Sequence, residues 1–401
     1  MPSSTLTLAQ RAIKLPESPI RKLAPFADAA KAEGAKVFHL NIGQPDIKTP
    51  PEFFDAITQA NLDVVAYSPS AGVGPLRESI AAYYQRIGHS ISSQEVLVTT
   101  GASEALGFVM RAVLDPDDEI IVPEPFYANY MSFSMSSDGI VVPLATSIEN
   151  DFQLPTPEEF EAKITDRTRA ILICNPGNPT GVLYPKESLE QLAQIVQKHG
   201  LFLIADEVYR EFAYDGLNHH SVLGFSEISE NVIVIDSISK RFSACGARIG
   251  NIVTRNQQLL ELLMRMAQAR LSPPTFGQLG ATAVYELGED YYQTVRHEYA
   301  ARRDLLKSRL DRIDGVLCPQ VNGAFYAMVR LPVPDTEDFC QWMLENHRHD
   351  NQTIMLAPGS GFYASEGSGR NEVRIAYVLN QKDLNLAMDC LESGIEIYNR
   401  S

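Results

Sequence analysis

Between about residues 95 and 254, short apolar runs rich in β-branched residues alternate with longer segments of helical spacing. Runs this short that are apolar on both faces are typical of buried parallel strands, and the amphipathic stretches between them are typical of covering helices. The pattern therefore predicts an α/β fold with a mostly parallel sheet covered by helices. The predicted strands are residues 96–98, 119–122, 140–144, 170–174, 201–205, 232–235 and 251–253.

After residue 254 the spacing changes to long helical patterns at 257–270 and 291–314, followed by predicted strands at 324–329 and 373–376. A chain of 401 residues also exceeds the usual size of one compact domain. We therefore expect a large domain at residues 45–290. A smaller α+β domain is expected from residues 1–44 together with 291–401.

Charge and cysteine usage exclude several classes of partner. The formal net charge of -16 is unsuited to nucleic acid or an anionic membrane surface, and no apolar run approaches the roughly 20 residues that span a bilayer. The five cysteines are scattered, and the first residues lack the layout of a signal peptide. His219 and His220 have no third ligand at a suitable spacing. We expect a cytoplasmic protein without a metal site.

Two predicted strands are followed by residues suited to catalysis. Lys240 follows one strand in the segment Ser237-Ile-Ser239-Lys240, with Arg248 eight residues later, and Asp206 follows another. Open α/β sheets bind ligands at the carboxyl ends of their strands. Each signal alone has an ordinary explanation, because a lysine in a serine-rich loop is usually solvated and such an aspartate is commonly a helix N-cap.

Two further loops follow strands. Residues 175–181, with the sequence NPGNPTG, form a stiff loop that fixes side-chain directions. Small residues at 99–104 precede a helical run, where free amides can bind an anion, although a simple cap explains them equally well. With the phenol of Tyr209, the four loops offer an amine, an acid and phosphate ligands. Together they describe a site for one molecule that carries a phosphate, a carbonyl and a basic nitrogen.

This ordered set of residues resembles the class I and II aminotransferases, enzymes of pyridoxal 5'-phosphate (PLP) fold type I. The resemblance covers residues 41–377 and implies a homodimer with active sites at the subunit interface. It rests on Tyr67, Gly101, Ala102, Ser103, Tyr127, residues 175–181, Asp206, Tyr209, Ser237, Ser239, Lys240, Arg248 and Arg374.

The resemblance implies a role for each residue around the PLP ring. Lys240 would bind PLP as a Schiff base and would then act as the base at the substrate Cα. Asp206 would keep the pyridine nitrogen protonated, which makes the ring an electron sink. Asn175 and Tyr209 would donate hydrogen bonds to the ring phenolate, and Tyr127 would stack on the ring.

The resemblance also implies how the phosphate and the substrate bind. Arg374 would hold the substrate α-carboxylate through its guanidinium fork, with Gly43 and Asn175 close to the same substrate. Tyr67 would reach the phosphate of the neighbouring subunit. The phosphate ligands within one subunit would be Ala102, Ser103, Ser237 and Arg248, and Gly101 and Ser239 would also belong to the cofactor-binding residues.

The substrates follow less directly from the sequence. The leading interpretation is amino transfer from an L-amino acid, aspartate first and an aromatic amino acid second, to 2-oxoglutarate. Arg270 is a candidate for the second carboxylate of a dicarboxylic substrate, although it could simply end its helix against the dipole. Two alternatives stay open: a lyase of the same fold, of the C–S β-lyase or cyclopropane-forming type, and a non-catalytic PLP-binding regulatory module.

Overall fold

The computed structural model describes residues 6–400. The strands in this part of the chain are β1 (Lys36–His39), β2 (Val96–Thr99), β3 (Glu119–Glu124), β4 (Ile140–Ala145), β5 (Thr168–Cys174), β6 (Phe202–Asp206), β7 (Val232–Ser237), β8 (Gly250–Val253), β9 (Tyr326–Arg330), β10 (Gln352–Met355), β11 (Ala357–Pro358) and β12 (Glu372–Ala376). The helices are α1 (Gln10–Ile13), α2 (Ala24–Ala32), α3 (Pro51–Gln59), α4 (Gly74–Arg86), α5 (Gly101–Val113), α6 (Asn129–Ser136), α7 (Pro157–Glu161), α8 (Lys186–His199), α9 (Ile238–Arg241), α10 (Gln257–Arg270), α11 (Thr275–Val284), α12 (Glu289–Leu310), α13 (Thr336–Glu345) and α14 (Gln381–Tyr398).

Seven strands form the main sheet in the order β2-β8-β7-β6-β5-β3-β4. Strand β8 runs antiparallel to both of its neighbours, and the other pairs are parallel. Side chains of the central strands alternate between two apolar cores: Leu172 and Ile204 lie in one, and Ile171 and Leu203 lie in the other. Both faces of the sheet are therefore buried, as parallel sheets require. The predicted α/β fold is confirmed.

Helix α8 shows how the local sequence builds one of the covering layers. Leu189, Leu192 and Val196 recur at helical spacing, and all three are buried. Burying one such side chain stabilises the fold by roughly 1.5–3 kcal/mol. Gly200 then ends the helix in the left-handed conformation, with φ of 65°, and its amide donates to the Val196 carbonyl. The chain can therefore turn directly into β6.

The remaining strands form two small sheets outside the main one. Strand β1 pairs in parallel with β10, and β12 pairs antiparallel with both β11 and β9. The N-terminal segment is thus joined to the C-terminal part of the chain. The division at residues 45 and 290 stays a prediction, and residues 1–5 and 401 lie outside the described part. Strand β9 begins at Tyr326, two residues later than predicted, because Ala324 has a positive φ of 55°.

None of the helices between residues 6 and 400 combines the length and the apolar character needed to cross a lipid bilayer.

Candidate active site

A cavity of about 620 Å³ lies at the carboxyl ends of β6 and β7. Strands β5, β6 and β7 are parallel neighbours, so the residues that follow them meet at one edge of the sheet. Residues of the three-stranded sheet β11-β12-β9 and of the segment before α2 also reach this cavity. Its lining includes Arg21, Gly43, Ala102, Ser103, Tyr127, Asn178, Asp206, Tyr209, Ser237, Ser239, Lys240, Arg248, Tyr326 and Arg374.

Asp206 is the last residue of β6, is buried and lines the cavity. Its Oδ2 accepts a hydrogen bond of 2.7 Å from the hydroxyl of Tyr130, and its Oδ1 accepts one of 3.3 Å from the Val208 amide. Burial raises the pKa of Asp206 to about 6. No α-helix begins at Asp206, so the N-cap explanation is wrong.

Tyr130 is a site residue that the sequence analysis missed. It lies on the first turn of α6, three residues after Tyr127, and its side chain is fully buried against Asp206. A tyrosine pair at this spacing could have suggested that one helix start presents two phenols to one site.

Lys240 lies on the short helix α9, directly after β7. Its Nζ donates a hydrogen bond of 2.8 Å to the carbonyl of Gly43, and the Cys245 Sγ lies 4.0 Å away. The amine therefore points into the cavity rather than into bulk solvent, which excludes the solvated-loop explanation.

A second group of residues at the cavity has the features of an anion site. Helix α5 begins at Gly101, and the Arg248 guanidinium lies so close that a Cβ on Gly101 would be 2.4 Å from Nη2. A Cβ on Gly250 would lie 2.5 Å from the Gly101 carbonyl carbon, so this close approach requires glycine at both positions. The hydroxyls of Ser237 and Ser239 lie 2.7 Å apart on the same cavity wall. Amides, hydroxyls and a guanidinium thus converge.

Arg374 comes from β12 of the small antiparallel sheet and is 1% exposed. Its Nη1 donates a hydrogen bond of 3.0 Å to Oδ1 of Asn178, and its Nη2 donates to the carbonyl of Asn41. The rings of Tyr326 and Phe362 lie 4.6 and 4.8 Å from the guanidinium carbon. Burial lowers the pKa of Arg374. The buried Nε atom has no hydrogen-bond partner among the described residues, and the side chain belongs to the cavity lining.

Gly43 is required by the close approach of Tyr326. A Cβ on Gly43 would lie 1.7 Å from the Tyr326 hydroxyl, which itself lies 3.0 Å from the hydroxyl of Tyr209. Tyr326 was not predicted as a site residue, and it joins the small sheet to the loop after β6.

The two asparagines of residues 175–181 occupy different places, and the prediction for Asn175 is wrong in this respect. Asn175 lies outside the cavity lining, where its Oδ1 accepts a hydrogen bond of 3.0 Å from the Tyr184 amide. Asn178 lines the cavity, with its Nδ2 at 3.5 Å from the Tyr209 hydroxyl. The amide of Gly177 donates to the Val182 carbonyl at 2.8 Å, and this turn directs the second asparagine inward.

With this geometry established, comparison with known proteins identifies the family. The family model described as "Aminotransferase class I and II" matches residues 35–391. The chain belongs to this family. It is therefore an aminotransferase, an enzyme of the family predicted above.

Relatives match this aminotransferase along almost its entire length. It is 30% identical to an aspartate aminotransferase of Bacillus subtilis strain 168, over 98% of both chains. Among solved structures, a single mutant of Thermus thermophilus aspartate aminotransferase has a TM-score of 0.89 at 29% identity, covering 97% of this chain and 100% of the other. An alanine aminotransferase from Pyrococcus furiosus has a TM-score of 0.89 at 32% identity, covering 98% and 100%.

Tyr127 and Tyr67, two of the three tyrosines predicted to contact the cofactor, are placed differently in the aminotransferase. Tyr127 lines the cavity, its hydroxyl accepts a hydrogen bond of 2.8 Å from Asn129 Nδ2, and burial raises its pKa to about 12. Tyr67 is 80% exposed and does not line the cavity of its own chain. That Tyr67 contacts the phosphate in a neighbouring subunit stays a prediction.

Arg270 lies outside the cavity of its own chain. It ends α10, as the dipole explanation supposed, and its Nη1 donates a hydrogen bond of 2.7 Å to Glu104 Oε2. Its Nη2 donates to the Ser70 carbonyl at 2.9 Å, and only 13% of the side chain is exposed. The guanidinium is already occupied within the chain, which does not favour a role in substrate binding.

His219 is buried beside Glu207, with Nε2 3.9 Å from Oε2. Burial lowers the pKa of His219 well below its usual value, so the ring is neutral near pH 7. Within residues 6–400, no group of three or more histidine, cysteine, aspartate or glutamate side chains is placed to hold a metal ion.

Proposed function

We propose that this aminotransferase holds PLP in the cavity and moves the amino group of an L-amino acid, aspartate first, to 2-oxoglutarate. The observation that carries the proposal is the convergence of Lys240, Asp206 and Arg374 on a single cavity. The amine of Lys240 would attach the cofactor, and the buried carboxyl group of Asp206 would pair with its pyridine nitrogen. The buried guanidinium of Arg374 would bind a carboxylate of the substrate.

The acid end of the cavity fits a protonated pyridine nitrogen. Asp206 is 5% exposed, and its hydrogen-bond donors are the neutral groups of Tyr130 and Val208. A buried carboxylate without a cationic partner is costly, which is why its pKa is raised. A ring N–H⁺ at this position would stabilise the carboxylate, and Asp206 would in turn keep that proton on the ring.

The lining residues around the start of α5 fit a phosphate. The start of α5 at Gly101, with Ala102 and Ser103 on the cavity wall, presents backbone amides and the positive end of a helix dipole. The Ser237 hydroxyl and the Arg248 guanidinium lie on the same wall. These donors would bind a dianion by charge-assisted hydrogen bonds, and the net charge of the chain does not matter for so local a site.

PLP, when bound, supplies an electron sink for the bonds of the substrate Cα. Lys240 would hold it through Nζ and, once released, would take the proton from the substrate Cα with the same atom. Arg374 would bind the α-carboxylate with its remaining N–H groups, next to Asn178. Asn178 and Tyr209 would donate to the ring phenolate, with Asn178 taking the role first expected of Asn175.

Aspartate is proposed as donor because the B. subtilis relative and the T. thermophilus structure are aspartate aminotransferases, although the P. furiosus structure is an alanine aminotransferase. A cytoplasmic homodimer is part of the proposal, and the exposed ring of Tyr67 supports it. In a dimer, that ring would have a phosphate of the partner site to contact.

The test is the visible absorbance of the purified, PLP-loaded protein during additions of single amino acids. Aspartate should convert the PLP band to the pyridoxamine band, and 2-oxoglutarate should restore it. Addition of 2-oxoglutarate alone is the control and should change nothing. Failure of every amino acid to change the band would contradict amino transfer, and release of pyruvate from cysteine conjugates without an oxo acid would favour the lyase instead.

A further inference from the structure

One cationic side chain in the cavity lining has no role in the proposed function. Its charged lining residues are Arg21, Asp206, Lys240, Arg248 and Arg374. Arg248 belongs to the phosphate end, Lys240 to the cofactor carbonyl and Arg374 to the α-carboxylate. Arg21, from the segment before α2, is left without a role.

The backbone at Arg21 is fixed relative to Arg374. Asn41 Nδ2 donates a hydrogen bond of 2.7 Å to the carbonyl of Ile20, and the carbonyl of Asn41 accepts one from Arg374 Nη2. One asparagine thus connects the residue before Arg21 to the guanidinium of Arg374. The position of Arg21 over the cavity is therefore set by the same contacts that hold Arg374.

Contacts on both sides of Arg21 hold the same segment in place. A Cβ on Gly361 would lie 2.2 Å from the Cβ of Pro19, so Pro19 packs directly on the backbone there. Lys22 forms an ion pair with Glu337 at the start of α13. Pro19 and Lys22 are held against the protein while Arg21 lines the cavity, so the segment presents this side chain to a ligand.

The Arg21 side chain keeps its donors free. Unlike Lys22, it forms no hydrogen bond or ion pair within residues 6–400, and it is exposed. Arg21, Tyr127 and Arg374 line one cavity, so both guanidinium groups face the same ligand space. Two cations at such positions fit a ligand with two carboxylates, because a guanidinium fork binds carboxylates with paired hydrogen bonds.

We propose that Arg21 binds the distal carboxylate of dicarboxylic substrates, while Arg374 binds the α-carboxylate. The inference rests on the proposed function and names its substrate class: amino and 2-oxo acids with a second carboxylate. It replaces Arg270, whose guanidinium is occupied by Glu104. Arg21 is thus the residue that distinguishes 2-oxoglutarate and aspartate from pyruvate and alanine.

The test compares Arg21→Ala with the wild-type PLP-loaded enzyme. By isothermal titration calorimetry, succinate should bind Arg21→Ala roughly 10- to 100-fold more weakly, as for a lost hydrogen-bonded charge pair. Butyrate, of the same chain length with one carboxylate, should change by less than about threefold. The ratio of kcat/KM for 2-oxoglutarate to that for pyruvate should fall by the same factor as succinate affinity.

Lys14→Ala is the matched control, because Lys14 is an exposed cation of the same N-terminal segment outside the cavity lining. It should leave the ratio and the succinate affinity unchanged. Equal succinate affinity in Arg21→Ala and wild type would overturn the inference, as would a wild-type enzyme that does not prefer dicarboxylates. An enzyme that transfers no amino group from any donor would instead refute the proposed function.

Discussion

The residues that follow β6 and β7 include charged side chains on two sides, and the two sides differ in whether these charges are paired inside the protein. Asp206 and Lys240 face the cavity, whereas the next residues in sequence, Glu207 and Arg241, face a buried region on the other side. The same two loops therefore supply both a ligand site and a set of fully enclosed ions.

The buried side is paired within the chain. Arg241 Nη2 donates to Asp236 Oδ2 at 2.5 Å, with both side chains at 0% exposure, and Arg210 forms an ion pair with Glu207. Tyr83 adds its ring 4.4 Å from the Arg241 guanidinium carbon. Each charge here has its opposite inside the protein.

The cavity side lacks such pairing. Asp206 has neutral donors, and Lys240 donates to a backbone carbonyl. The difference teaches that buried charge by itself does not mark a functional site, since both sides are buried and charged. A functional site is indicated instead by charged groups that face a cavity and have no charged partner inside the protein.

The largest expected effect is on catalysis and belongs to the cavity side. Lys240→Ala should lower kcat for amino transfer by at least about 10²- to 10⁴-fold, because the proton at the substrate Cα loses its acceptor. Borohydride reduction followed by mass spectrometry should find no PLP attached to the variant. The unfolding free energy should change by less than about 1 kcal/mol. Normal turnover by this variant would refute the role of Lys240.

On the buried side the largest effect should be on stability. Asp236→Ala leaves the Arg241 guanidinium enclosed without its anion, which should lower the unfolding free energy by about 3–5 kcal/mol in urea titrations. The double variant Asp236→Leu with Arg241→Met should recover much of this loss, since no unpaired charge remains. A single variant as stable as wild type would show that the pairing is dispensable.

The Asp206 carboxyl group should make the unfolding free energy depend on pH in a way that the paired ions do not. In PLP-free protein its pKa is about 6 against 3.8 for the ordinary group, so the folded state binds the extra proton between these values. Its contribution to stability is present at low pH and is lost as pH rises from about 4 to 7, by roughly 3 kcal/mol.

Urea titrations of PLP-free wild type and Asp206→Asn at pH 4, 5, 6 and 7 measure this contribution. Wild type should lose stability relative to the variant as pH rises, and PLP should reverse that loss in wild type by supplying a cation. A constant difference between the two proteins across this range would show that Asp206 keeps an ordinary pKa.

The smallest effect is expected at Arg270, whose pair with Glu104 is only partly enclosed. Arg270→Ala should lower the unfolding free energy by about 1 kcal/mol and leave kcat/KM for aspartate within about threefold. Glu104→Gln should have a comparable effect on stability. A loss of aspartate activity much larger than the loss with alanine would return Arg270 to the substrate site.

Much of this protein follows from its sequence alone. Short apolar runs between covering helices predicted the parallel sheet, because each buried strand must be apolar on both faces. The lysine after β7 and the aspartate that ends β6 could be placed together, because parallel strands bring their carboxyl ends to one edge. The order of these motifs also carried the resemblance to the family that the family model confirms.

Other features were decided only by the tertiary structure. Residues 175–181 contain two Asn-Pro steps that the sequence cannot tell apart, and a turn of backbone hydrogen bonds places Asn178, not Asn175, in the cavity. Tyr326 and Arg21 come from elements far apart in the chain, so no local pattern connects them to Lys240. Their places depend on how the small sheet and the N-terminal segment pack on the main sheet, because side-chain contacts across such distances are set by packing rather than by spacing.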